Sequence, residues 1–245
     1  MNLANDTLAP TTTRLVPRGE LRDAETESMF RLLSSHFEGV TRERFEADLA
    51  EKNWALLIER EQHLVGFTTI LVYETSFRDE PVSVIYSGDT IVAPEAWNSS
   101  ALPRGWIESV ARLRALYPRG PYVWLLITSG FRTYRFLPLF WRRFFPRFDE
   151  PTPEDRRQLL DHLAVERFGR RYDPPTGVVG LESPQRLRES LAGIPPQRTD
   201  DPHIAFFASR NPGHACGDEL VCLTELSPDN LTPAGRRMAR AIPTW

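Results

Sequence analysis

Apolar residues recur at helical spacing from Glu20 to Phe37, where Leu21, Ala24, Met29, Leu32, Leu33 and Phe37 are set among polar positions. Thr41 is placed to cap a second helix running to Ala50, with Arg44 at the capping-box position. The period then shortens. Trp54–Arg60 and Leu64–Tyr73 are rich in apolar and β-branched residues and flank the short polar Glu61-Gln62-His63, which predicts a hairpin. A third strand, Val82–Val92, carries Val82, Val84, Tyr86, Gly88, Thr90 and Val92 on one face, Asp89 on the other, and stops at Pro94. Pro103 suits the first turn of a helix that reaches Tyr117.

Tyr122–Thr128 is a compact apolar strand punctuated by Ser129-Gly130. Phe131–Phe148 reads as one helix, with Phe136, Phe140 and Phe144 on a single stripe. Prolines cluster from Pro151 to Pro202, a stretch that reads as an insertion with short helices at Glu154–Phe168 and Pro184–Leu191. Ile204–Ser209 and Leu220–Thr224 read as closing strands. With a strand before the first helix, the order is β-α-α-β-β-β-α-β-α, insertion, β-β. The expected class is mixed α/β: one domain over residues 1–245, with a helical insertion at 149–202 and a C-terminal tail at 227–245.

Composition narrows the function. At 245 residues, 41% hydrophobic and 26% charged, the chain has length and apolar content for a substantial core. A net charge of −3 argues against a bulk nucleic-acid binder. No apolar run is long enough for a bilayer span, and the first residues lack the pattern of a secretory signal. Two cysteines, Cys216 and Cys222, do not make a disulfide framework, so the expected setting is the cytoplasm. One lysine, Lys52, against 29 arginines reads as the composition of a GC-rich, bacterial-type genome.

Asp89 is the titratable residue placed to do chemistry: a strand carboxylate that serves as a base or binds an ammonium group, or else a strand-edge aspartate bonded to a loop. Ser129 sits at a strand-to-helix turn, where a hydroxyl caps amides; G-x-S-x-G is absent, so a covalent serine is not expected. Arg132–Arg147 holds five arginines and no acid, interleaved with aromatics. Its readings are a core stripe with a solvated basic face, a dock for an acidic carrier protein, contact with an anionic membrane or, weakest because no binding module is recognised, contact with nucleic acid. His214, Cys216 and Cys222 lack a second ligand cluster, and no metal is expected.

The element order is similar to that of the GNAT superfamily, the Gcn5-related N-acyltransferases. Ile91-Val92-Ala93-Pro94-Glu95 leading through Trp97–Pro103 into a helix, then a strand and an aromatic helix, carries the resemblance. It covers residues 14–148 and 203–226. The family's loop has the form R/Q-x-x-G-x-G/A; here Trp97 replaces the basic or amide residue, and Ser100 and Leu102 replace glycines. The family's Y-x-x-x-G-F helix is matched by Phe140-Trp141-Arg142-Arg143-Phe144-Phe145, which has no tyrosine.

The resemblance implies transfer of an acyl group from a thioester of coenzyme A or of an acyl carrier protein to a small-molecule amine. It places the carrier's phosphates on Val92, Asn98, Ser99, Ser100, Ala101, Leu102 and Arg104. Asp89 becomes the base or amine binder, and Ser129 or Tyr134 the proton donor to the leaving thiolate. Arg132–Arg147 becomes a docking surface for a carrier protein. The departures from the family pattern support a second reading, a non-catalytic binding protein of the same shape.

Overall fold

Two tight reversals set the central sheet. In the computed structural model, which describes residues 10–182 and 184–239, Glu61 and Gln62 (φ 51° and 63°) join β3 (Trp54–Arg60) to β4 (His63–Phe77). Arg78 and Asp79 (φ 53° and 64°) join β4 to β5 (Glu80–Val92). Two central residues at positive φ match the right-handed twist of the flanking strands, as in a type I′ hairpin.

Around these hairpins lie β1 (Thr12–Pro17), β6 (Tyr122–Thr128), β7 (Phe144–Phe145), β8 (Tyr172–Asp173), β9 (Val178–Val179) and β11 (Glu219–Glu225). The nine-stranded sheet runs β1-β3-β4-β5-β6-β11-β9-β8, with β7 paired to β11 off this path. Its described neighbours are antiparallel except β5 and β6. A parallel pair needs a crossover, and α3 (Ala101–Leu116) supplies it. The mixed α/β class is as expected.

The α3 face holds Trp106, Ile107, Val110 and Leu113 against Ile70, Ile85 and Trp124. On the opposite face, α1 (Asp23–His36) and α2 (Arg42–Glu51) bury Met29, Leu33, Phe45 and Leu49 on Leu57 and Phe67. Thr41 caps α2 as expected, its Oγ1 accepting from the Arg44 amide at 3.3 Å. Beside them α6 (Glu154–Phe168) lays Leu159, Leu160, Leu163, Ala164 and Phe168 over Tyr86, Val123, Leu125 and Val221. Burying a Leu or Phe side chain contributes about 1.5–3 kcal/mol, so this helix of the insertion is part of the core.

Three sequence expectations are corrected. Phe131–Phe148 is not one helix but α4 (Phe131–Tyr134), α5 (Phe136–Phe140) and then β7. Pro138 has no N–H to give the Tyr134 carbonyl, so the helix breaks there. Pro184–Leu191 is β10 (Arg186–Leu187), paired to β2 (Phe37–Glu38), followed by α7 (Glu189–Ala192). Ile204–Ser209 lies within a helix, α8 (Pro202–Arg210), whose N-cap Asp201 accepts from the His203 amide at 3.0 Å. In the C-terminal tail, Asn230 and Leu231 are buried, Asn230 bonds Arg143, Thr224 and Glu225, and α9 (Pro233–Met238) follows. Residues 240–245 lie outside the described ones.

Candidate functional site

The sheet opens where β5 passes its midpoint. β5 and β6 pair from Ser83↔Tyr122 to Ser87↔Leu126, and the register ends there. On its other side, β5 pairs Ser87 with Ile70 and Thr90 with Thr68, so Gly88 and Asp89 together oppose Thr69. An extra residue in one strand is a β-bulge, which bends that strand and re-aims its side chains. Tyr86 packs with the α6 cluster and Ile91 with the α1–α2 cluster, both on one face, although strict alternation separates residues five apart. Thr90 instead bonds Thr68, hydroxyl to hydroxyl, at 2.7 Å. Asp89 is therefore on the same side as Tyr86, not opposite it as the alternation predicted.

Three more elements bring charge to that side. Lys52, at the end of α2, is buried, and its Nζ donates to Asp48 Oδ1 at 2.7 Å and to the Asp48 carbonyl at 3.1 Å. The same ammonium lies 5.5 Å from the Tyr86 ring. From α6, Arg167 covers that ring at 4.9 Å and pairs with Glu51. From β11 comes Glu219. Its strand neighbours Val221 and Leu223 face the α6 cluster, so alternation puts Glu219 on the cleft side.

Asp89 and Glu219 are half-buried. Burial and the Asp48 carboxylate push Asp89 up to about 7, against the opposing pull of Lys52. Burial first, then the charges of Asp89 and Asp48, push Glu219 up to about 8. Both carboxyls thus exchange protons near neutrality, where a general base works best. Sequence reasoning missed Glu219, Asp48 and Arg167. It set Lys52 aside as composition, although a single lysine in so arginine-rich a chain was the available signal.

The other expected site residues lie apart from this group. Tyr134 is fully buried in the core on the α3 face, and its hydroxyl donates to the Pro146 carbonyl at 2.9 Å. Ser129 follows the end of β6, where Thr128 pairs with Leu220, next along β11 from Glu219. Phe144, Trp141 and Leu137 of the aromatic stripe are core. Of the five arginines there, Arg135 pairs with Asp201 and Arg147 with Asp149.

In the loop before α3, the Trp97 indole donates to the Val92 carbonyl at 2.7 Å, and Arg132 stacks on that ring at 4.3 Å. The Ala101 amide goes to Ser99 Oγ at 3.1 Å, the Arg104 amide to the Ser100 carbonyl at 3.1 Å, and Pro103 has none. Asn98, Ser100 and Arg104 are exposed, and Leu102 is half-buried against apolar side chains. The loop thus presents the Arg104 charge to an anion. Among the described residues, no three His, Cys, Asp or Glu side chains are grouped to hold a metal, and no helix is long and apolar enough to cross a membrane.

No protein-family model matches the chain, and no curated protein does. Solved structures do. A conserved protein of unknown function from Enterococcus faecalis, described as a probable N-acyltransferase, is 16% identical over 55% of this chain and 33% of its own, at TM-score 0.42. A GCN5-related N-acetyltransferase from Kribbella flavida is 17% identical over 51% and 32%, at 0.38. Escherichia coli ElaA is 16% identical over 59% and 95%, at 0.38. The chain spans about a third of the length of the first two. Within this chain, the proline-rich insertion contributes α6, and through Arg167 it reaches the opening between β5 and β6.

Proposed function

We propose that the chain is an N-acyltransferase that moves an acyl group from a thioester carrier directly to an amine, with Asp89 as the base. The observation that carries this reading is the bulge at Gly88–Asp89, which turns a carboxylate with a near-neutral pKa into the gap left by the parted strands. An amine arrives as ammonium at pH 7, and Asp89 takes its proton. The free nitrogen attacks the thioester carbonyl, the new C–N bond forms, and the C–S bond breaks. The nitrogen loses its second proton as the C–S bond breaks, and the leaving thiolate takes it up through Ser129, which gives one proton and regains one, or through solvent. Tyr134 is not retained for that step, because its hydroxyl is committed to Pro146 in the opposite core. Holding both reactants in one cleft supplies much of the acceleration.

The donor belongs to the class of acyl-CoA or acyl-carrier-protein thioesters, and the acceptor is a small amine. A second reading, a GNAT-like binding protein without catalysis, is favoured by the Trp97–Val92 hydrogen bond, which occupies a strand-end carbonyl beside the expected carrier loop. Release of thiol from acetyl-CoA and a longer acyl-CoA, with a panel of primary amines, separates the two. Turnover that falls about 100-fold or more in Asp89→Asn supports the enzyme. No thiol release with either donor, or with an acylated carrier protein, supports the binding protein.

A further inference from the structure

We infer that Asp89 and Glu219 form a two-carboxylate seat for the acceptor's ammonium group, and that the acceptor class is a primary amine with no carboxylate on the neighbouring carbon. This deepens the function proposed above and rests on its reading of the cleft as the amine side of the transfer.

The charges around the cleft divide into two kinds. Lys52 is matched by Asp48 at 2.7 Å, and Arg167 is matched by Glu51. Each of those cations already has its acid. Among the described residues, Asp89 and Glu219 have neither an ion pair nor a hydrogen bond, although they reach the same opening from β5 and β11, on either side of β6. The Asp89 carboxylate disfavours ionisation of Glu219, and Asp48 disfavours ionisation of both. The missing counter-charge is one cation, to be supplied by whatever enters.

An independent polar group points the same way. Thr69 is fully buried, and its Oγ1 has no partner. A Cβ built on Gly88 would lie 2.7 Å from that oxygen and 2.7 Å from Lys52 Cε. The hydroxyl is thus aimed at the bulge, beside the Lys52 ammonium, and its hydrogen-bonding capacity is left for whatever enters the cleft.

The ligand chemistry follows. A primary ammonium has three N–H donors for two carboxylates and one further oxygen. It also displaces the proton that the carboxyl pair holds at neutral pH, because a cation stabilises the ionised form. A carboxylate one carbon from the nitrogen would enter a site that already holds Asp48, Asp89 and Glu219, and like charge at that range is strongly disfavoured in a half-buried cleft.

Pentylamine and norleucine, which is pentylamine with a carboxylate beside the nitrogen, test this without any acyl donor. Calorimetric titration at pH 7.5 in two buffers of different ionisation enthalpy gives both affinity and protons released. The expected result is release of about one proton on pentylamine binding and at least tenfold weaker binding of norleucine. Asp89→Asn and Glu219→Gln should each weaken pentylamine about tenfold or more, and Glu46→Gln, on the exposed side of α2, should leave it unchanged. Thermal melts of each variant establish that it is folded. Absent pentylamine binding, equal affinity for norleucine, or full affinity in folded Glu219→Gln overturns the inference. Amine binding with proton release but no acyl transfer from any donor leaves the seat in place and removes the acyltransferase reading.

Discussion

On the α3 face of the β5–β6 pair, Ser87 turns inward and accepts from the Trp124 indole at 2.9 Å. On the other face, two residues further along β5, Asp89 turns inward and, among the described residues, meets no cation of its own. The first contact lies within indoles stacked at 4.8 Å (Trp106–Trp124) and 5.2 Å (Trp124–Trp141), and it closes the sheet. The second lies past the last β5–β6 pairing, among two ion pairs and an unpartnered threonine hydroxyl. Stability and chemistry are thus divided between two faces of one strand pair. A polar group with its partner can be sealed into a core, whereas a carboxylate without a counter-charge needs solvent or a ligand within reach.

That contrast can be broken from either side. Trp124→Ala empties the centre of the α3 face and should cost about 3–5 kcal/mol in denaturant unfolding. A loss below about 1 kcal/mol would mean that the indole stack does not carry the core. Lys52→Met keeps the buried stem and removes the ammonium. Asp48 is partly solvated, so the expected cost is about 1–2 kcal/mol, below that of breaking a fully buried pair. In the same variant the Asp89 carboxyl, followed by carbon NMR, should titrate higher than in the parent, since Lys52 is the charge that holds it down.

Asp89→Asn should have the opposite sign on stability. The folded-state pKa values of Asp89 and Glu219 are raised above those of the unfolded chain. Their contribution is therefore full below about pH 4 and is lost as pH rises through about 7 and 8. Replacing either by its amide should raise stability by about 1–2 kcal/mol at pH 8 and by almost nothing at pH 4. Thermal midpoints at the two pH values check this, and an equal gain at both would remove the titration argument. The smallest effect is expected for Trp97→Phe, which frees the Val92 carbonyl at a surface position. Its stability should change by under about 0.5 kcal/mol, while a midpoint shift with acetyl-CoA that grows relative to the parent would mark the indole as an obstacle to the carrier.

Much of the frame was legible along the chain. Amphipathic period located α1, the Thr41 cap located α2, and apolar runs between punctuation located β3 to β6. Ile204–Ser209 was mistaken for a strand because a short apolar run has no decisive period. The Asp201-Pro202 pair before it, a capping acid followed by a helix-entry proline, was the better signal. Phe131–Phe148 was read as one helix although Pro138, with no N–H for the Tyr134 carbonyl, already marked the break after Tyr134. The site was less legible. Asp89 was found, but on the wrong face, since counting alternate residues cannot register one that is inserted into the pairing.

The chain by itself determined which segments bury apolar surface and with what period, because that depends only on neighbours a few residues away. It also determined that a lone carboxylate interrupts an otherwise apolar strand. Tertiary structure alone decided that Asp89 faces Lys52 and Glu219, which are 37 and 130 positions away in sequence. A bulge is defined by the partner strand, and an electrostatic environment is defined by whatever packs within a few ångströms. Neither is a property of the residues adjoining Asp89.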